Sequence, residues 1–200
     1  MNLLDKPRIV IGISGASGVI YGIRALQRLK EAGVETHLVM TNAAKVTLAY
    51  ETTMKVADVE ALAAVTHRHD DIGASISSGS FRTIGMLVAP CSVHSLSEIA
   101  TGVTSGLLAR AADVALKERR RVVLMIREAP LHAGHLRQML AVTEMGAIVA
   151  PPNPAFYALP KSIDEMIDHT VGRALDLFDI EVAGVRRWAG RQARPDTTDR

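Results

Sequence analysis

Cysteine and aromatic residues are scarce in this chain of 200 residues. Cys91 is the only cysteine, and Phe, Trp and Tyr together make up 4% of the sequence. A single cysteine excludes an intramolecular disulfide framework and a cysteine-rich zinc site. We expect Cys91 to be a small buried side chain rather than a nucleophile.

An excess of one charge and long hydrophobic runs are also missing. The chain has 23 Lys and Arg residues against 21 Asp and Glu residues. Its Arg-rich stretches, 119–121 and 186–200, have no interleaved aromatic residues, so we expect solvated surface there and no nucleic-acid partner. Because no signal peptide or membrane-spanning run is visible, the sequence predicts a cytoplasmic protein with no membrane partner.

Two histidine-containing segments resemble metal sites, but neither predicts one. The first contains His67, His69, Asp70 and Asp71 within a polar segment rich in Gly and Ser, 67–80. Side chains in such a loop usually face solvent. The second contains His132 and His135, which have no acidic partner in register. We therefore expect no bound metal.

What the sequence does contain is a regular alternation of apolar runs and amphipathic stretches. This alternation predicts an α/β fold, with a three-layer, doubly wound parallel sheet of the Rossmann-like or flavodoxin-like type. One flavoprotein-sized domain is expected over 1–190, with a flexible tail at 191–200. Strands are predicted at 8–13, 35–40, 84–89, 121–126 and 147–150. Helices are predicted at 19–32, 41–51, 56–65, 96–101, 107–117, 132–145 and 162–179.

The first strand leads directly into the turn Ser14-Gly-Ala-Ser-Gly18. A tight turn at a helix start predicts a phosphate site, because free backbone N–H groups and the helix dipole both favour an anion. The glycine spacing is not that of a dinucleotide fingerprint, and Met40-Thr41-Asn42 offers no acidic residue for a ribose. The hydroxyls of Ser14 and Ser17 suit a flavin monophosphate or its ring. The alternative is a turn that merely requires glycine.

Three further groups of polar residues are candidates. Ser92-Val-His-Ser95 follows the strand expected to stop at Pro90, and it suits either a nucleotide or simple N-capping. Arg127-Glu128 follows the next strand, where an Arg could hold an anion while a Glu moves a proton; a surface pair is equally possible. Arg110 and Lys117 share a helix face, which taken alone indicates a surface charge stripe.

Taken together, these stretches resemble the UbiX/Pad-type flavin prenyltransferases, a family within the homo-oligomeric, flavin-containing Cys decarboxylase-like flavoproteins. The loop 77–83 is most similar to the branch associated with hydroxyarylic acid decarboxylases. The motifs span nearly the whole chain, and their order is specific to the family. The matching stretches are Ser14–Gly18, Ser78–Ser80, Pro90–Ser92, Arg110–Glu118, Arg127–Pro130, Pro154–Tyr157 and Arg187-Trp188.

The resemblance implies a reaction and its partners. Reduced FMN is alkylated at N5 by dimethylallyl phosphate, phosphate leaves, and a bond to C6 closes a fourth ring. The product, prenylated FMN, passes to a UbiD-type decarboxylase, and no metal takes part. The resemblance also implies a large homo-oligomer, typically a dodecamer, with active sites at subunit contacts.

The resemblance also implies roles for individual residues. Ser17 would lie near the reacting ring edge, Glu128 would protonate the departing phosphate, and Glu51 would support the second step. FMN would be bound by Gly15, Ala16, Ser17, Thr41, Ser92, Val93, His94, Ser95 and Arg127. The prenyl phosphate would be bound by Ser78, Gly79, Arg110, Lys117, Tyr157 and Arg173. The catalytic set would be Ser17, Glu51, Lys117 and Glu128.

Some positions depart from the family pattern, and two other functions compete with this one. Ile126 stands where a proline is usual, and His94 replaces a small polar residue beside the expected flavin phosphate. A flavin-dependent cysteine-type decarboxylase shares the flavin turns, although 151–157 does not resemble its substrate loop. A non-catalytic FMN carrier or accessory subunit would not require the second anion site at Lys117, Tyr157 and Arg173.

Overall fold

The computed structural model describes residues 6–188 and residue 190, so the tail predicted at 191–200 lies outside the described residues. A six-stranded, all-parallel sheet has the order β3-β2-β1-β4-β5-β6. The strands are β1 Arg8–Ile13, β2 Glu35–Met40, β3 Val65–His67, β4 Gly85–Cys91, β5 Arg121–Ile126 and β6 Ile148–Val149. The helices are α1 Val19–Glu31, α2 Asn42–Glu51, α3 Val56–Glu60, α4 Val93–Thr101, α5 Leu107–Lys117, α6 Ala133–Glu144 and α7 Ile163–Asp176.

Helices cover both faces of the sheet, which confirms the predicted three-layer α/β fold. Ile9, Ile11 and Ile13 of β1 face a core shared with α1 and α7. Val10, the alternate residue of the same strand, faces a second core shared with α4, α5 and α6. Burial on both faces explains why the strands are continuous apolar runs. Among the described residues, no helix combines the length and apolarity needed to cross a membrane.

The structure corrects the sequence prediction at four places. Two are helix ends: α4 begins at Val93 rather than at 96, and α7 ends at Asp176 rather than at 179. The helix predicted over 56–65 ends at Glu60, and Val65 begins the edge strand β3. The strand predicted to stop before Pro90 continues to Cys91, and its pairing with β5 shifts register between Val88 and Cys91. An irregularity of this kind accommodates proline, because a bulged residue does not need to donate to the ladder.

Ion pairs connect α7 to α1. Arg24 and Arg28 contact Asp168 through Nη atoms at 2.7 and 2.9 Å, and these three side chains are largely buried. Burial by itself would raise the pKa of Asp168, but the hydrogen bonds and charges of the two guanidinium groups outweigh it and hold that pKa below its usual range. The ionised carboxylate therefore stabilises the fold above its ordinary pKa.

We predict that Asp168→Asn lowers the free energy of unfolding by about 1–3 kcal/mol at pH 7, since it removes a charge-assisted bond to two arginines. A carboxyl group whose pKa is lowered by folding contributes to the free energy of unfolding while it is ionised. That contribution is lost as the pH falls through the pKa of the folded state. The difference from wild type should therefore shrink below roughly pH 4 in urea titrations. The exposed Asp164→Asn should cost less than about 0.5 kcal/mol. A deficit that is the same at pH 3 and pH 7 would contradict this assignment.

Candidate active site

The main candidate site is a cavity of about 570 Å³ at the carboxyl ends of β1, β2, β4 and β5. It lies where the strand order reverses, between β1 and β4, which is the usual ligand position in an open parallel sheet. Each of these strands ends in a polar turn that enters the wall. The lining residues are Gly15, Ala16, Ser17, Thr41, Asn42, Ala43, His69, Ser92, Val93, His94, Ser95, Glu98, Ser105, Arg127 and Glu128.

Ser14 joins the turns that follow β1 and β4. Its fully buried hydroxyl donates to the Pro90 carbonyl at 2.9 Å and accepts the Ser92 N–H at 2.7 Å. Ser14 does not line the cavity, so of the two hydroxyls predicted for the flavin only Ser17 faces it. Ser14 instead fixes the spacing between the two turns.

We predict that Ser14→Ala lowers the free energy of unfolding by about 1–3 kcal/mol, because it leaves a buried N–H without its acceptor. The loss should appear in thermal or urea unfolding. Ser17→Ala is the matched control, because Ser17 is exposed and this change should leave stability within about 0.5 kcal/mol of wild type. Equal stability of the two variants would contradict the bracing role of Ser14.

The start of α4 combines both alternatives that the sequence left open. The Ser92 hydroxyl caps the helix by accepting the Ser95 N–H at 3.2 Å, and Ser92 through Ser95 also line the cavity. Thr41 does the same for α2, accepting the Ala44 N–H at 3.0 Å. Each cap occupies one N–H and leaves the others of the first turn free to meet an anion.

The turn after β1 is held by Glu51. This carboxylate accepts the backbone N–H groups of Gly18 at 2.8 Å and Val19 at 3.0 Å. It therefore caps α1 directly behind Ser17, where the helix dipole favours negative charge. Glu51 does not line the cavity. The structure thus places it as a support for the turn that carries Ser17.

Arg127 and Glu128 bring charge to the floor of the cavity. The Arg127 N–H bonds the Cys91 carbonyl at 3.1 Å, and Glu128 Oε1 accepts the Ala129 N–H at 3.0 Å. Burial raises the pKa of the neighbouring Tyr21 phenol, and the positive charge of Arg127 opposes part of that rise. Cys91 is fully buried, and burial raises the pKa of its thiol to about 12, which keeps it protonated at neutral pH.

These residues fit a flavin mononucleotide in both size and chemistry. Gly15 approaches α2 so closely that a Cβ there would collide with the Cβ of Ala43. Two helix starts and Arg127 supply N–H donors and positive charge for a phosphate, while Ala16 supplies an apolar wall. The fit rests on these groups, and it explains why a lysine-based phosphate loop is not needed.

Tyr157 and Arg173 lie together, but outside this cavity. The Tyr157 ring packs edge-on against His169, with ring centroids 5.7 Å apart, and His169 precedes Arg173 by one turn of α7. Arg173 Nη1 bonds Asp176 at 2.5 Å. Both residues are therefore on the side of the sheet that α1 and α7 cover.

Lys117 lies on the opposite side of the sheet, at the last residue of α5. Its ammonium pairs with Glu118, and a Cβ at Gly79 would stand 2.8 Å from Lys117 Nζ, so the loop 78–79 packs on this pair.

Lys117 is far from the cavity of its own chain. The 11 residues of α5 separate it from Gly106, which stands beside the cavity residue His69. Such a helix is about 16 Å long, more than a lysine stem can bridge. Arg110 lies between these ends and pairs with Asp113 at 2.8 Å.

Comparison with known proteins decides the family. A model of the flavoprotein family matches residues 2–180. The flavin prenyltransferase UbiX of Thauera aromatica is 55% identical over 187 residues, covering 94% of this chain and 96% of the relative. The chain belongs to the UbiX flavin prenyltransferases.

Solved structures agree with this membership of the UbiX family. The crystal structure of a UbiX protein (PadA1) in complex with FMN and dimethylallyl pyrophosphate has a TM-score of 0.92 and 48% identity, and it covers 94% of this chain and all of that chain. A dodecameric, FMN-dependent UbiX-like decarboxylase from Escherichia coli O157:H7 has a TM-score of 0.89 and 48% identity over 92% of this chain and 100% of that chain. A flavin-dependent cysteine decarboxylase shares only the fold, at 17% identity and a TM-score of 0.60.

Sequence reasoning missed several cavity residues of this UbiX family member. Asn42, Ala43, Glu98 and Ser105 line the wall, although no motif pointed to them. His69 was expected to face solvent, which is wrong, because the loop folds back and places it in the wall. Its neighbour Asp70 does face solvent, as expected, and forms an exposed ion pair with Arg68. For His69, Glu98 and Ser105, only the path of the chain between β3 and α5 brings them to the cavity.

Proposed function

We propose that this cavity binds reduced FMN and that the chain transfers a dimethylallyl group from dimethylallyl phosphate to it. The observation that carries the proposal is the meeting of Ser17, Arg127 and Glu128 in one flavin-sized cavity, in a chain so similar to UbiX proteins. The allylic C–O bond breaks and a bond to flavin N5 forms, while phosphate leaves with the electron pair. N5 loses its proton in this first step. A second bond, from C6 to the far carbon of the allyl group, then closes the new ring as the adjacent alkene carbon takes up a proton and C6 loses one.

The flavin phosphate belongs at the start of α4. The free N–H groups around Val93 and His94, together with Arg127, offer donors and positive charge there. Gly15, Ala16 and Thr41 then face the ribityl chain and ring, and Ser17 stands at the reacting edge. Bound this way, the flavin covers the apolar wall at Ala16 and supplies one face of the pocket that an allylic cation needs.

The departing phosphate needs both a proton and cations. Glu128 is the cavity carboxyl next to Arg127, and we assign it the proton that phosphate accepts and the later removal of the C6 proton. Negative charge builds on the phosphate as the C–O bond breaks. Lys117 and Arg173 would therefore stabilise the transition state more than the bound substrate. Tyr157, Arg110 and the loop 78–79 complete this second anion site.

One chain cannot assemble this site, because its parts lie in three places. The cavity is at the switch point, Tyr157 and Arg173 are on the α7 side of the sheet, and Lys117 is on the α5 side. We therefore propose that neighbouring subunits supply the phosphate-binding residues, in a homo-oligomer of the dodecameric kind described for the Escherichia coli relative. Exposed Leu136 and Leu140 on α6 provide apolar surface for such contacts.

Two parts of the function rest on the family resemblance. The prenylated FMN is proposed to serve a UbiD-type decarboxylase, and the reaction is proposed to take place in the cytoplasm. Dimethylallyl pyrophosphate, the molecule bound in the relative's crystal structure, is an alternative donor. Side-by-side assays with the monophosphate and the pyrophosphate decide which one this chain uses.

The proposal is tested by the mass of the flavin. The purified protein is incubated without air with reduced FMN and either donor, and the extracted flavin is analysed by mass spectrometry. We expect the flavin to gain one C5H8 unit, with release of an equal amount of phosphate from the monophosphate donor or of pyrophosphate from the pyrophosphate donor. An unchanged FMN mass, while a UbiX relative is active in the same assay, would overturn the proposed function.

A further inference from the structure

His69 is a polar residue of the cavity wall that the proposed reaction does not use. It lies with Glu98 and Ser105 beside the start of α4. The Ser105 hydroxyl bonds Glu98 Oε1, and His94 Nδ1 stands 3.6 Å from Glu98 Oε2. Glu98 is thus bonded at Oε1, whereas no described residue bonds the imidazole of His69.

The backbone fixes the position of His69. Its carbonyl accepts the Leu107 N–H at 2.8 Å, which attaches the loop to the start of α5. A Cβ at the buried Gly106 would collide with the Cε1–Nε2 edge of the ring, so the absence of a side chain there creates the space for the imidazole. The ring is therefore anchored to α5 rather than to the exposed part of the loop.

The two ring nitrogens of His69 have different surroundings. Nδ1 is buried and has no hydrogen-bond partner among the described residues. Because the side chain of His69 lines the cavity, Nε2 is the ring nitrogen from which a bond to a ligand can form. Orphaned buried N–H donors are rarer than orphaned acceptors. The proton therefore belongs on Nε2, and His69 presents an N–H donor to whatever fills the cavity.

We propose that His69 is a specificity-determining residue whose Nε2–H donates to an oxygen of the FMN phosphate; this rests on the proposed function. His69 lines the same cavity as the free N–H groups of Val93 and His94, which favour an anion. The Glu98 carboxylate repels a phosphate from the second turn of α4. The phosphate is thereby confined to the first turn of α4.

Two substitutions of His69 test the position of the donor. A glutamine amide nitrogen stands near the place of Nε2, and an asparagine amide nitrogen stands near that of Nδ1. We expect His69→Asn to raise the Kd for oxidised FMN on the order of tenfold, as loss of a hydrogen bond to a charged group does. His69→Gln should stay within about threefold of wild type. Quenching of flavin fluorescence measures both values.

Riboflavin, which lacks the phosphate, is the comparison ligand. Its Kd should be the same for wild type and both variants. The control variant is Asp70→Asn, an exposed neighbour in the same loop, which should bind FMN as wild type does. Thermal unfolding establishes that each variant is folded.

The outcomes separate this inference from the proposed function. An unchanged FMN affinity in His69→Asn, a loss of equal size for riboflavin, or equal losses in the Asn and Gln variants would each overturn the role of His69. Failure of the wild-type protein to bind FMN would overturn the proposed function and this inference with it. Wild-type turnover alongside an unaffected His69→Asn would leave the proposed function standing and remove only His69.

Discussion

Replacing Glu128 by Gln is expected to lower the rate of prenyl transfer by about 10²–10⁴-fold, the usual contribution of a general acid and base. Glutamine keeps the shape of the side chain and the acceptor oxygen that bonds the Ala129 N–H, but it has no proton to give to the leaving phosphate. Phosphate must then leave without protonation. The loss should be confined to the chemical step.

Three measurements distinguish this loss from misfolding. The Kd for FMN and the unfolding temperature of Glu128→Gln should match wild type, while single-turnover transfer in anaerobic stopped flow is slow. Glu31→Gln, an exposed carboxylate far along α1, is the matched control and should remain fully active. Full activity of Glu128→Gln would remove Glu128 from the mechanism, and a parallel loss of FMN binding would make it a binding residue.

Replacing Lys117 by Met is expected to lower kcat/KM for the prenyl donor by about 10²–10³-fold, by analogy with removal of one oxyanion donor. Methionine keeps much of the apolar stem and removes the charge that stabilises the departing phosphate. FMN affinity should not change, because Lys117 is assigned to the prenyl phosphate of a neighbouring subunit's site and lies at the far end of α5 from the cavity of its own chain.

The matched control is Lys30→Met, which removes one exposed lysine charge from the end of α1. Both variants change the net charge equally, so a difference between them is specific to position. If Lys117→Met weakened FMN binding as much as it slowed transfer, Lys117 would belong to the flavin site. If Lys117→Met were as active as Lys30→Met, Lys117 would not be the principal cation of the second anion site.

The cavity could be predicted from sequence because one geometric rule governs it. The polar turns at Ser17, Thr41, Ser92 and Arg127 each follow an apolar run, and the carboxyl ends of parallel strands meet at one edge of the sheet. Recognising four strand ends was therefore enough to bring these residues together. The assignment of individual residues to the flavin or to the prenyl phosphate came from the family resemblance and not from their spacing in the sequence.

Other features depend on contacts between distant parts of the chain. Pro90 predicted a strand end, but the shifted pairing between β4 and β5 carries the strand past it. The short edge strand β3 pairs with β2 over only three residues. So short a segment is too brief to show the alternation of apolar and polar residues by which a strand is recognised in a sequence. Ser14 resembled a ligand hydroxyl, yet its bonds to Pro90 and Ser92 make it a brace.

The separation of Lys117 from Glu128 could not be inferred from the helix pattern alone. The pattern placed Arg110 and Lys117 on one face, but the direction of α5 relative to the sheet decides that Lys117 points away from its own cavity. This separation is the physical reason why an isolated subunit should bind flavin and still fail in prenyl transfer.

Mixed oligomers test the shared site most directly. Glu128→Gln and Lys117→Met chains carrying different tags are co-expressed, and the mixed assembly is purified on both tags. If each site combines Glu128 of one subunit with Lys117 of another, random mixing of two inactive chains restores about one quarter of the sites. Mixing Glu128→Gln with Ser17→Ala should restore none, because both residues line the cavity of one chain. No recovery with Lys117→Met would contradict a site shared between subunits.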